Sequence, residues 1–254
     1  MIYQVLNGDA MAGTFKNTGI PGEVLITREA LVDGSLEGDT LPLFFKTRAR
    51  EIGITEEEYQ SKVANEFYKI TGAAPDTEFN LWFEYDLFCQ VNMWFILSLV
   101  DSLPVPKKVY AVYTSYLGPG DKHFWNGYGP ATEAALLQCY TDRILMTPED
   151  IGLGSKLWNA YKSANLELLR NLSVDAGSAF PYIRDVIEVH IQRFPAEGQK
   201  GRPEKEIEKF LATQPDNFPR AFSEFWKTQS IYGFGDTQFR KIYDRVLATM
   251  QSGN

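Results

Sequence analysis

The stretch from residue 2 to residue 27 constrains this chain most. Residues 2–6 form a short β-type run with Ile2, Val5 and Leu6 apolar, cut by the turn Asn7-Gly8-Asp9. A helical pattern follows through Ala10-Met11-Ala12 and Phe15, is closed by Gly19 and Pro21-Gly22, and gives way to a second apolar run over residues 23–27. Short apolar runs bounded by glycine and proline read as strands, and the same breakers end the helix between them. Strand, helix and strand at this spacing predict a βαβ unit, in which the two strands run parallel.

Residues beyond this unit extend the pattern. Thr55 and Glu58 have capping-box spacing, and Tyr59, Val63, Phe67 and Ile70 then fall on one helical face before Gly72. Residues 79–83 read as a third strand and residues 109–113 as a fourth. Between them Leu87, Val91, Trp94, Phe95 and Leu99 keep helical spacing, with further apolar residues on the other faces, so this helix is expected to be covered on more than one side. The sum predicts an α/β fold: a Rossmann-like, mostly parallel sheet over residues 1–145 with helices on both faces.

After about residue 130 the strand signals stop. Thr147-Pro148 pairs an N-cap with a proline at the first helical position. Leu157, Trp158, Tyr161, Leu168, Leu169 and Leu172 mark a long amphipathic helix, and Ile183, Ile187, Ile191 and Phe194 another. A polar, linker-like stretch over residues 199–203 precedes three helical patterns over 207–211, 221–226 and 239–247. Residues 146–254 are therefore expected to form a helical C-terminal domain, with a helix-turn-helix arrangement over 203–250 left open.

Charge and cysteine usage limit the partners. The net charge is -8, and it is uneven: residues 180–254 carry 11 basic against 10 acidic side chains, and residues 1–179 carry 14 against 23. An acidic first half and a near-neutral second half disfavour nonspecific nucleic-acid binding without excluding a local patch. The strongly apolar run over residues 93–100 is too short for a membrane span, and the opening residues lack the pattern of a signal peptide. Two cysteines, Cys89 and Cys139, suit reduced thiols and a cytoplasmic location. Oligomeric state is not legible.

In open parallel sheets ligands bind beyond the carboxyl ends of the strands. The expected site residues are Asn7, Gly8 and Asp9 after the first strand and Arg28 and Glu29 after the second, joined by Glu84, Asp86 and Gln90 after the third. Gly8 permits a tight turn, and the N–H groups opening the next helix suit an anion. Yet no G-x-G-x-x-G fingerprint, P-loop or nucleophile elbow occurs, so neither a catalytic residue nor a cofactor is assigned. Paired carboxylates such as Glu84 and Asp86 can hold a divalent cation or divide acid and base roles. Structural roles compete: Asn7 or Asp9 as a helix cap, Asp86 as the cap of the helix starting at Leu87, and Glu84 as a partner of Arg28. His123 lies in a glycine-rich loop suited to lining a pocket, His190 sits beside an apolar face, and both cysteines fall in apolar patterns that indicate packing.

Several segments carry a resemblance. Val5-Leu6-Asn7-Gly8-Asp9-Ala10, Pro21-Gly22-Glu23-Val24, Arg28-Glu29-Ala30-Leu31-Val32-Asp33-Gly34 and Leu81-Trp82-Phe83-Glu84-Tyr85-Asp86-Leu87-Phe88-Cys89-Gln90 resemble the bacterial domain-of-unknown-function family 1835. Gly127-Tyr128-Gly129, Arg143, Thr147, His190, Phe194-Pro195 and Gly235-Asp236 extend the likeness over nearly the whole chain. Members of that family often carry His where this chain has Tyr85 and Asp where it has Cys89. The resemblance implies a relative and no reaction. Two functions remain in view: binding of a small anionic, nucleotide-like or phosphorylated ligand at the strand ends, or a regulatory protein whose helical tail binds nucleic acid. The second requires Lys227, Arg240, Lys241 and Arg245 to line up outward. A protein-interaction module using Phe222, Phe225 and Trp226 is a third option, against which these residues read mostly as core.

Overall fold

A computed structural model describes residues 1–118, 120–121, 124–174, 176–214 and 217–252. The elements are β1 (Ile2–Asn7), α1 (Ala12–Phe15), β2 (Glu23–Thr27), α2 (Leu41–Ile52), α3 (Glu56–Tyr59), α4 (Asn65–Thr71), β3 (Thr77–Trp82), α5 (Leu87–Asp101), β4 (Lys107–Val112) and α6 (Glu133–Thr141). They continue with β5 (Ile144–Leu145), α7 (Pro148–Lys162), α8 (Leu166–Val174), α9 (Ile183–Ile191), α10 (Arg202–Thr213), α11 (Phe218–Gln229) and α12 (Asp236–Ser252). This is an α/β fold.

The sheet order is β2-β1-β3-β4-β5, with β1 to β4 parallel and β5 antiparallel. Each strand sends successive side chains to opposite faces. Val5, Leu81 and Ala111 enter the larger core with α2, α4, α5 and α7, whereas their neighbours Leu6, Trp82 and Val112 meet Met11, Phe15, Leu136 and Cys139 on the other face. Twelve of the fifteen α5 residues are buried, so this helix is enclosed, as its all-round apolar pattern predicts. Each large apolar side chain buried in this way contributes roughly 1.5–3 kcal/mol. No helix among the described residues is long and apolar enough to cross a membrane.

The structure differs from sequence expectation at several places. The helix α2 lies in a stretch that carries no assignment above, although Thr40 and Pro42 mark its start and Phe44, Phe45, Arg48 and Ala49 its buried face. The helical run from Thr55 holds its capping box but passes through a π-type turn at Gln60–Ala64. The edge strand β5 is two residues long and too short to show a period. The run through Leu172 is two helices, because Ala164 takes a left-handed conformation (φ 53°). Arg202 and Pro203, within the linker-like stretch, open α10. The expected loop residue His123 lies outside the described residues.

One core runs from the sheet into the later helices: Trp158 of α7 packs on Phe95 of α5, with ring centroids 4.9 Å apart. Phe225 of α11 is buried, and Trp226 donates its indole N–H to the Phe234 carbonyl at 3.0 Å.

Candidate functional site

The strand order reverses between β1 and β3, and their carboxyl ends frame the crevice in which open α/β sheets bind ligands. At the end of β1, Gly8 turns the chain with φ 83° and donates its N–H to the Leu6 carbonyl at 3.1 Å. At the end of β3, Glu84 and Asp86 follow Phe83 directly into α5. Asp86 caps that helix, accepting the Cys89 N–H at 3.0 Å. Neither Asn7 nor Asp9 caps α1, whose N-cap position is Met11 without a side-chain bond.

Glu84 is the hub. One carboxylate oxygen accepts the Cys89 thiol at 3.0 Å and the other accepts the Tyr128 N–H at 3.2 Å. Cys89 Sγ in turn accepts from Asn7 Nδ2 at 3.0 Å. Asn92 Nδ2 donates to Asn7 Oδ1 at 2.9 Å and to the Glu29 carbonyl at 2.8 Å, tying the ends of β1 and β2 to α5. Gln90 donates to the Glu84 carbonyl at 2.8 Å, while its own amide oxygen is buried without a partner among the described residues. Potential ligand atoms of Glu84, Asp86 and Cys89 all lie within 4.8 Å of one another.

Two glycines roof the acids. A Cβ on Gly127 would stand 2.2 Å from Glu84 Cγ, and one on Gly233 1.9 Å from Asp86 Oδ1. Both glycines have positive φ, 60° and 63°, which side chains resist at a cost of ~1–2 kcal/mol. Gly127→Ala is therefore expected to cost at least this much in urea denaturation and to push Glu84 off the Tyr128 N–H. An unchanged denaturation midpoint would contradict the close contact.

Burial dominates the electrostatics. It pushes the Asp86 carboxyl up to about 7, helped by the neighbouring Glu84 charge, and raises Glu84 as well. Burial likewise raises the Cys89 thiol, with the two acids adding to the effect. Glu84 as a residue keeps some accessible surface, whereas Asp86 is buried. No salt bridge joins either acid to a basic side chain among the described residues. Beside them the Tyr85 ring is stacked between Tyr113 (4.8 Å) and Phe124 (5.1 Å).

The other predicted residues divide. Arg28 makes a two-pronged pair with Asp9, both bonds 2.8 Å, on the exposed rim, and not with Glu84. Glu29 is enclosed: it accepts Arg48 Nη2 at 3.0 Å and the Tyr59 hydroxyl at 2.5 Å. Asn7, Glu84, Asp86 and Gln90 are thus brought together, Asp9 and Arg28 stand at the rim, and the Glu29 side chain faces inward to a different partner. Cys89, expected to serve packing alone, is buried and also bridges Asn7 to Glu84. Asn92, Arg48, Tyr59 and Gly233 were not expected in this region, whereas Gly127 belongs to the glycine-rich loop expected to line a pocket. Two amides, Gln90 and Asn92, within the apolar first turns of α5 are the signal that points to Asn92.

Comparison with family models, curated proteins and solved structures finds no match.

Proposed function

We propose that the crevice between β1 and β3 binds a divalent cation on Glu84, Asp86 and Cys89, and through it a small phosphorylated or nucleotide-like ligand. The observation that carries this reading is the enclosed acid pair with an adjacent thiol and no basic partner. Two carboxyls held close together away from water share protons or take up a cation, and a cation converts an acidic crevice into one that attracts phosphate. A mixed carboxylate and thiolate set suits a borderline ion of the zinc type. The unpartnered Gln90 oxygen supplies a further acceptor near the acids. Arg28 stands ready at the rim, because its exposed pair with Asp9 is worth only about 0–1 kcal/mol and opens at little cost.

In this reading the chain is a Rossmann-like α/β protein with a helical C-terminal domain, related to the family 1835 that it resembles and resident in the cytosol. Its two unpaired, buried cysteines accord with that compartment. The small-ligand reading is favoured over a nucleic-acid-binding tail because each of the four basic side chains that such a tail requires has a carboxylate beside it, which leaves no net positive face for a phosphate backbone: Glu224 beside Lys227, Asp244 beside Arg240, Asp33 beside Lys241 and Glu204 beside Arg245.

Cobalt(II) is the probe of choice, since a thiolate ligand gives it a charge-transfer absorption. One Co²⁺ per chain is expected, with affinity rising with pH as the thiol and both acids release protons. Cys89→Ser is expected to remove the charge-transfer band. Asp86→Asn, which keeps the helix cap, and Glu84→Gln are each expected to weaken binding about tenfold or more. ADP is expected to bind the Co²⁺-loaded protein and not the chelator-treated one. No uptake of Co²⁺ at pH 8, or ADP binding indifferent to the metal, sinks the reading.

A further inference from the structure

We propose a second ligand site, in the groove where the loop of residues 31–36 meets the ends of α7 and α9, which takes a small organic anion with an aromatic body. Two adjoining cavities of about 470 Å³ and 220 Å³ share Val32, Asp33, Arg193 and Phe194. The larger lies within the range of small-molecule pockets.

Charge assigns the ligand's sign. Arg193 is half-buried and has no carboxylate partner among the described residues; it donates to the Val32 carbonyl at 3.1 Å and lies 5.2 Å from the Phe234 ring. Lys162 likewise meets a carbonyl, that of Gly38 at 2.6 Å, and no acid. The two carboxylates at the groove are already engaged, Asp33 by Lys241 and Glu204 by Arg245. Two cations without counter-charge thus face one cavity in a chain of net charge -8. A half-buried guanidinium in this setting favours an anion strongly, because little water competes for it.

The walls assign the ligand's body. Leu31, Leu36 and Leu166 line the larger cavity, and Phe194 stands 54% exposed at the mouth of both cavities. Its ring is held edge-on by His190 at 5.3 Å. An exposed aromatic ring 5.4 Å from the Arg193 guanidinium, beside cations without carboxylate partners, suits a planar ring that carries a phosphate. His190 lines the same cavity and is uncharged, so it neither adds to nor opposes the field.

This site shares no residue with the Glu84 cluster and does not depend on a metal. The test is a titration of the intact protein with phenyl phosphate in the presence of a chelator, followed by the imidazole resonances of its two histidines. The His190 resonance, identified by its loss in His190→Gln, is expected to shift saturably. Arg193→Gln is expected to weaken binding about tenfold or more, and Lys162→Gln to weaken it several-fold, as loss of a charge-assisted contact implies. Lys46→Gln, which removes a surface lysine outside the groove, is the control for net charge. Phenol or inorganic phosphate alone is expected to bind at least about tenfold more weakly than phenyl phosphate. Should Arg193→Gln fail to fold, Lys162→Gln carries the test. Absence of a saturable His190 shift, or one equally strong in the folded groove variants, overturns the proposal.

Discussion

Replacing Arg48 by methionine is expected to cost about 3–5 kcal/mol of folding stability, because it leaves Glu29 charged and uncompensated inside the protein. Both side chains are only 1% exposed. Arg48 also donates to the carbonyls of Asp33 at 2.9 Å, Ser35 at 3.0 Å and Ala30 at 3.2 Å, so one guanidinium fixes the loop after β2. Such a residue cannot be replaced by packing volume alone. Chemical denaturation of Arg48→Met reads the loss directly, and Arg48→Met with Glu29→Gln is expected to recover at least 1 kcal/mol or so, since the orphaned charge is gone. A cost for the single variant below about 1 kcal/mol would show that the pair is not enclosed as described.

Acid is expected to destabilise the chain through His190. Burial, reinforced by the Arg193 charge, lowers its imidazole to about 3. Between that value and the ordinary histidine pKa near 6.5, the unfolded chain binds a proton that the folded chain does not. Stability from this group is therefore complete above about pH 6.5 and is lost as pH falls. Full linkage gives ~1.4 kcal/mol per pH unit, hence about 2–3 kcal/mol between pH 6.5 and 4.5. The buried Asp86 and Glu84 act in the opposite direction, because both folded pKa values are raised, that of Asp86 to about 7, which makes the folded chain the better proton binder as pH falls. The measurement is accordingly a difference: wild type against His190→Gln, by urea denaturation of chelator-treated protein across this range. The gap is expected to close or reverse as pH falls, and parallel pH curves would rule out a neutral buried His190.

What was legible in the sequence follows the range of the interactions. The βαβ opening, the four parallel strands and the enclosed α5 were readable because each depends on period and breakers within a few residues. The caps at Thr55, Asp86 and Thr147 were readable for the same reason, each side chain accepting an N–H three residues onward. The strand boundaries moved by a residue or two, the three C-terminal helices extend two to five residues beyond their apolar patterns at each end, and α2 went unread although its proline and buried face were present. The candidate site was legible as a place: Asn7, Glu84, Asp86 and Gln90 meet where the strand-end rule put them. Its partners were not. Arg28 stands closer in sequence to Asp9 than to Glu84, yet neither pairing has a local signature, and the fold selects the first.

The sequence by itself determined the α/β class, the parallel opening unit and the turn that follows β1, since backbone geometry and hydrophobic period act locally. Only the tertiary structure decided that Cys89 bridges Asn7 to Glu84, that Arg48 serves Glu29, and that Gly127 and Gly233 close over the two acids. Those contacts join residues up to 147 positions apart, as with Asp86 and Gly233. They arise from how helices pack on the sheet, and no spacing along the chain encodes that.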